Sequence, residues 1–332
     1  MKKLMKSGLI SLLLLAFTAC SSQVSEKTAQ EQKSESGKTR VSMATGGQAG
    51  SWFAVGAGMA NLVNKESSLL EMTAAVTNGG LENVRLVGGG KNEFSFASND
   101  AAYYGFNGVE AFEKEGNQDI VGMFTIMDSS RMGIFVLADS GIKSISDIKG
   151  KKVVVGPPST SSLLMGLALL DAAGIDAKKD IEPLYLSYAE GSEALRDGNA
   201  DVLFAMTGHP VPSVVEMSTS KDVKVIPVDE DIRKKMLEAT SFYTDSVIKA
   251  GTYDGQTEDI PSIGLPSGII ANKNVPEEVA YEFTKAVFEN LEDVKSYHAA
   301  ARSASLELAA KMPIPMHPGA KKYFEEKGIK VD

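Results

Sequence analysis

From residue 41 onward the apolar and polar positions repeat one order: a short alternating run, a turn rich in glycine and polar residues, then a run with helical spacing. Residues 41–45 alternate like a strand with one buried face. Phe53, Met59, Ala60, Leu62 and Val63 then fall mostly on one face of a helix over residues 52–64. The turn between them reads Thr45-Gly46-Gly47-Gln48-Ala49-Gly50-Ser51-Trp52, with glycines that allow close backbone approach and Ser51 placed to cap the helix. A turn of this kind aims backbone N–H groups and the positive end of a helix dipole at whatever lies above it. It is half of a candidate anion-binding cleft.

The same order recurs along the chain. A strand over residues 71–77 leads through Asn78-Gly79-Gly80 to a helix carrying Leu81, Val84 and Val87. A strand over 94–98 leads through Asn99-Asp100 to a helix over 101–106. Further strands are expected at 120–124 and 133–138. After the strand 153–155 the hydroxyl-rich turn Gly156-Pro157-Pro158-Ser159-Thr160-Ser161-Ser162 opens a helix over 163–173. The pattern continues with strands at 184–186, 201–205, 223–228 and 263–271, and with helices at 190–197, 231–240, 276–291 and 319–326. Strands that alternate with helices predict an α/β architecture with a largely parallel sheet, and such sheets bind ligands beyond the carboxyl ends of their strands. One lobe is expected to comprise residues 39–132 and 229–332, and a second residues 133–228. Two crossings between lobes make a hinge of the kind that closes on a ligand.

Composition adds an address. Lys2, Lys3 and Lys6, an apolar run over residues 9–17 and the small residues Thr18-Ala19 before Cys20 read as a signal over residues 1–20. Cys20, the single cysteine of the chain, stands where a bacterial lipoprotein is cleaved and lipidated. Residues 21–38 hold one valine among Ser, Gln, Glu, Lys, Thr and other small or polar residues. They read as a flexible tether with a root-mean-square span of roughly 20–25 Å. Loss of residues 1–19 leaves 31 basic against 43 acidic residues, a formal charge of −12. That balance argues against nucleic acid and against a polybasic membrane patch. An extracytoplasmic monomer, lipid-anchored to the cell membrane in the periplasm or at the cell surface, is expected.

Several short stretches in this order resemble the TAXI family, the solute receptors of one class of tripartite ATP-independent periplasmic (TRAP) transporters. They are Thr45-Gly46-Gly47 with Ser51-Trp52-Phe53, Gly79-Gly80-Leu81-Glu82-Asn83, Ser98-Asn99-Asp100 with Ala102-Tyr103, and Asp139-Ser140-Gly141-Ile142. Gly251-Thr252-Tyr253, Gly255-Gln256, Asp259-Ile260-Pro261 and Pro315-Met316-His317-Pro318-Gly319-Ala320 complete the set. The resemblance implies an α/β protein of the type II periplasmic-binding-protein fold, two α/β lobes joined by two crossover strands. It also implies capture of a small carboxylate, glutamate among those known for the family, and delivery to a permease driven by an ion gradient. Two departures stand out: Pro158-Ser159-Thr160-Ser161-Ser162 replaces a more glycine-rich loop, and Trp52 stands where tyrosine is common.

With six arginines after the signal, the donors for a carboxylate are expected to be backbone N–H groups and hydroxyls at helix starts. The candidate ligand-binding residues are Gly47, Ser51, Trp52, Asn78, Asn99 and Asp100 in the first lobe, with Ser159, Thr160, Ser161, Ser162 and Gly208 in the second. Several also have a plainer reading: Gly46-Gly47 as a plain turn, Asn99-Asp100 and Ser159-Thr160-Ser161-Ser162 as helix caps, Trp52 as core. Asp100 is placed to accept from a ligand amino group. Enzymatic readings lack parts: there is no Gly-x-Gly-x-x-Gly, P-loop or Gly-x-Ser-x-Gly, and the three histidines are not at metal-ligand spacing. No cofactor and no metal site is expected. A ligand-sensing surface lipoprotein and an ABC-importer receptor are the alternatives.

Overall fold

The computed structural model describes residues 37–331 apart from 49, 50, 78, 129 and 159. The signal, Cys20, nearly all of the tether, and the candidates Asn78 and Ser159 lie outside the described residues.

The first half of the fold begins with β1 (Thr39–Ala44), α1 (Ser51–Glu66), β2 (Leu70–Ala75), α2 (Gly80–Gly88), β3 (Phe94–Ser98), α3 (Asn99–Asn107) and β4 (Ile120–Met127). The chain then builds β5 (Ser130–Leu137), β6 (Lys152–Val154), α4 (Ser161–Ala172), β7 (Glu182–Leu184), α5 (Tyr188–Arg196) and β8 (Val202–Gly208). It continues with α6 (Pro212–Ser218), β9 (Val223–Val225), α7 (Glu230–Ala239), β10 (Thr244–Ile248) and β11 (Ile260–Gly264). Last come β12 (Ser267–Asn272), α8 (Glu277–Glu289), α9 (Leu291–Tyr297), α10 (Leu306–Ala309) and α11 (Pro318–Glu326).

Two sheets result. The first has the order β2-β1-β3-β12-β4; the second runs β10-β11-β5-β8-β6-β7, with β9 also on β5. Each is covered on both faces, because its strands carry apolar side chains on both sides. In the first half, Met59 and Val63 of α1, Phe283 of α8 and Phe324 of α11 fill one face. Leu81, Val84 and Val87 of α2 and Ala101 of α3 fill the other. In the second half, Met165 and Leu169 of α4 and Met236 of α7 oppose Leu195 of α5 and Val214 of α6.

Three expectations change. The return to the first half comes later than residue 229: β10 and β11 pair within the second sheet, and the chain passes to the first between Gly264 and Ser267. The single strand expected over 263–271 is therefore two strands in different sheets, parted at Pro266, which cannot donate to a ladder. The sheets are also mixed rather than largely parallel. β1 pairs in parallel with β2 and β3, and β6 with β7 and β8. β12 runs antiparallel between β3 and β4, because it enters at the end where β3 stops, Ser267 opposite Ser98.

The two crossings lie side by side. β4 ends at Met127 and β5 starts at Ser130, while Leu265 N–H donates to Ser130 O at 3.1 Å and Gly264 pairs with Arg131.

Candidate functional site

At the meeting of the halves, one helix start from each sheet faces the other. β3 passes into α3 without a loop, so Ser98, at the cap position, makes no side-chain bond to its own helix. Its Oγ instead lies 3.1 Å from Ser161 Oγ, the first residue of α4. Ser161 O–H also donates to Asp100 Oδ1 at 3.1 Å, and Ala101 N–H donates to the same oxygen at 2.6 Å. Asp100 is fully buried, and its Oδ2 has no hydrogen-bond partner. Burial pushes the Asp100 carboxyl above the usual carboxylate range, against the hydrogen bonds from Ser161 and Ala101 that favour its charged form.

The turn before α4 is shaped by Gly156, whose φ of 102° excludes most side chains. Thr160 caps the helix: its Oγ1 accepts from Leu163 N–H at 3.3 Å and donates to Pro157 O at 2.8 Å. Ser162 turns away from the seam into the second half. Its Oγ accepts from Met206 N–H at 3.4 Å and sits 3.1 Å from the Tyr188 hydroxyl, which itself donates to Met206 O at 2.7 Å.

Trp52 is half-buried in the first half, with its ring stacked on Phe96 at 5.7 Å and 16°. Its Nε1–H donates to Ser267 Oγ at 3.2 Å, and Ser267 is the register partner of Ser98. The backbone of Gly79 packs against the same ring: a Cβ there would stand 3.4 Å from Trp52 Cζ3. Trp52 is thus part of the wall beside Ser98 and also part of the core.

Trp52, Asp100 and Ser161 are therefore drawn into one connected cluster, and Asn99 adjoins it through its N–H to Pro266 O at 3.0 Å. Asn99 Oδ1 is buried without a hydrogen-bond partner. Other candidates behave differently. Ser51 begins α1 rather than capping it, since the helix starts one residue earlier than its apolar face indicates. Gly47 and Gly208 are exposed, and nothing stands within 4 Å of a Cβ built on either. Thr160 and Ser162 serve their own half, as cap and as tie.

An aromatic patch joins the halves beside Asp100. Tyr103 and Tyr104 of α3 pack on Phe242 at 5.3 and 5.5 Å, and Phe242 packs on Tyr243 at 4.6 Å. Burial, together with the nearby Asp100 charge, pushes the Tyr104 and Tyr243 hydroxyls well above the ordinary phenol range. Sequence reasoning missed Tyr104, Tyr243, Ser267 and the role of Ser98 as a link. The signal at hand was the stretch Ser98-Asn99-Asp100 with Ala102-Tyr103, one turn away from Tyr104. Among the described residues no group of three or more His, Cys, Asp or Glu side chains is placed to hold a metal ion.

Two α/β halves, two adjacent crossings and helix starts that face each other across the seam define the type II periplasmic-binding-protein fold. The chain belongs to the NMT1-like family, whose model matches residues 43–328. In fold it is similar to the periplasmic sulfonate-binding protein of a putative sulfonate ABC transporter from Methylobacillus flagellatus. That likeness has 16% identity and a TM-score of 0.50 over 79% of this chain and 73% of that one. It is also similar to a Xanthomonas citri protein solved bound to ATP, at 11% identity and a TM-score of 0.51 over 86% of this chain and 94% of that one.

Proposed function

We propose that the protein is an extracytoplasmic solute receptor that encloses a small carboxylate between its two halves and hands it to a membrane permease. The observation that carries this reading is the meeting of α3 and α4: two helix N-termini, one from each sheet, joined through Ser98, Asp100 and Ser161 beside Trp52. Backbone N–H groups and hydroxyls at helix starts are the donors a desolvated carboxylate needs. Closing the halves assembles both sets at once. In this reading Cys20 carries the lipid and residues 21–38 are the tether that keeps the receptor beside its permease. Among the described residues no helix is long and apolar enough to cross a membrane.

The permease has two forms. An ABC importer is the form supported by the fold, since the Methylobacillus relative serves an ABC transporter. A TRAP permease is the form supported by the motif set from Thr45-Gly46-Gly47 to Pro315-Met316-His317-Pro318. Uptake by the receptor with its permease in sealed vesicles separates them: the first form needs ATP inside, the second an ion gradient and no ATP.

Binding itself is tested by a thermal-shift screen against small carboxylates. A ligand at a hundred times its dissociation constant stabilises the folded state by about 2.7 kcal/mol. A broad panel that leaves the melting temperature unmoved sinks the receptor reading.

A further inference from the structure

The stretches Asp139-Ser140-Gly141-Ile142 and Gly251-Thr252-Tyr253 with Gly255-Gln256 have no place in the cluster around Asp100. They meet instead at a cavity of about 670 Å³ in the second half. One wall of it is β9, and residues 253–258 with Ile260 form another. β9 pairs with the last part of β5, Phe135 opposite Val225 and Leu137 opposite Val223, at the end away from the crossing at Ser130. Ala138 N–H donates to Asp222 O and Ile226 N–H to Ile134 O, both at 2.9 Å. The ladder therefore turns the N–H and C=O of Lys224 toward β5, and those of Val223 and Val225 outward across the gap. No hydrogen bond between described residues reaches these four outward groups.

The loop that bounds the gap is held by its own bonds rather than by β9. Gln256 Nε2 faces Ile248 O, Lys249 O and Glu258 O at 3.1, 3.0 and 2.9 Å, and Tyr253 N–H donates to Gln256 Oε1 at 3.2 Å. Val228 N–H, donating to Pro261 O at 2.9 Å, closes the gap at one end. Lys143, Lys221 and Lys224 line the cavity, and none is in an ion pair between described residues. Lys221 and Asp222 stand just before β9, at the end opposite Val228, while Asp254 and Glu258 stand on the loop. An open strand edge offers a donor and an acceptor on every second residue, roughly 7 Å apart, and an extended peptide backbone repeats that spacing.

We propose that this gap is a docking site for an extended, acid-ended segment of a partner protein, which lies along β9 as an added strand and carries its carboxylates to Lys143 and Lys221. Because β9 lies at the end of β5 away from the crossing, an added strand leaves the seam untouched. The proposal stands independently of the receptor reading.

The test uses the full chain and three acetylated six-residue peptides, in which Thr alternates with Val, Ile or Tyr over four positions before Asp-Asp. Amide hydrogen exchange followed residue by residue should show the Val223 and Val225 amides slowed about tenfold or more by at least one peptide at millimolar concentration. N-methylation of that peptide at alternate residues should abolish binding in one register and spare it in the other. Replacing Asp-Asp by Lys-Lys, or Lys143→Glu together with Lys221→Glu, should weaken binding about fivefold or more, as measured by fluorescence anisotropy. Val225→Pro removes an outward donor and no ladder bond, so it should weaken binding by a similar factor. If Val225→Pro does not fold, the exchange pattern of the wild-type chain and the N-methylated peptides still decide. Three peptides that leave both amides unprotected overturn the proposal. So does protection that appears at the seam instead of β9, or equal binding of the Asp-Asp and Lys-Lys peptides.

Discussion

His209 is enclosed by hydrogen bonds that fit one protonation state. Its Nε2–H donates to Arg131 O at 3.0 Å, and its Nδ1 accepts at 2.7 Å from the Tyr253 hydroxyl, whose oxygen in turn accepts from Val211 N–H at 2.9 Å. A second ring proton would face the Tyr253 proton, and burial lowers the imidazole from 6.5 to about 4. Below pH 6.5 the unfolded chain therefore takes a proton that the folded chain refuses, so stability is full above that value and falls between pH 6.5 and about 4. The loss attributable to His209 is on the order of 3 kcal/mol across the window. Denaturant unfolding at a series of pH values should show it, and His209→Gln should flatten part of the slope. The remainder includes His317, which burial holds low in the same direction. At this scale the sequence located Asp100 and Ser161 because each follows a strand and opens a helix. Tyr104 and Tyr243 stayed hidden because residues 139 positions apart meet with no period to announce them.

The glycines of the first half work as packing surfaces. Gly268 lies in β12 between β3 and β4, and a Cβ there would run into Phe124 O and Thr125 Cα of the neighbouring strand. Backbone on a paired strand cannot move aside as a side-chain tip can. Gly268→Ala should cost about 1–3 kcal/mol in denaturant unfolding, and an unchanged midpoint would show that the strands separate with little effort. Gly56 does similar work in α1, where a Cβ would stand 2.5 Å from Thr45 Cγ2 and hold the helix off β1. Helices with one apolar face were legible in the sequence to within a few residues: α7 was expected at 231–240 and spans Glu230–Ala239. β10 was not, because Thr244-Asp245-Ser246 opens an edge strand with polar residues. The break at Pro266 was missed since apolar residues run on both sides of it, and hydropathy alone does not say that two sheets share them.

The whole molecule turns on the seam between its halves. Ser98 Oγ and Ser161 Oγ are 3.1 Å apart, close enough for a cysteine pair at these positions to approach disulfide reach. Ser98→Cys with Ser161→Cys, oxidised, should hold the halves together and stop exchange of bound ligand with solvent, and a reductant should restore it. Exchange that persists in the oxidised protein would mean that ligand enters without the halves parting. The order of elements made two lobes legible. The position of the second crossing was not legible, because β10 and β11 follow α7 with no change of composition to mark which sheet they join.

The placement of β12 also bears on how the chain acquires its shape as it is made. β5 through β11 form one uninterrupted stretch from Ser130 to Gly264, so the second sheet can complete itself from sequence-local parts. The first sheet cannot: its strand between β3 and β4, and the packing of α8 and α11, arrive only after that stretch has emerged. Contacts that close long loops form late. The half synthesised first therefore waits, with β3 and β4 unpaired on their facing edges, for the half synthesised second, and it is finished by the end of the chain.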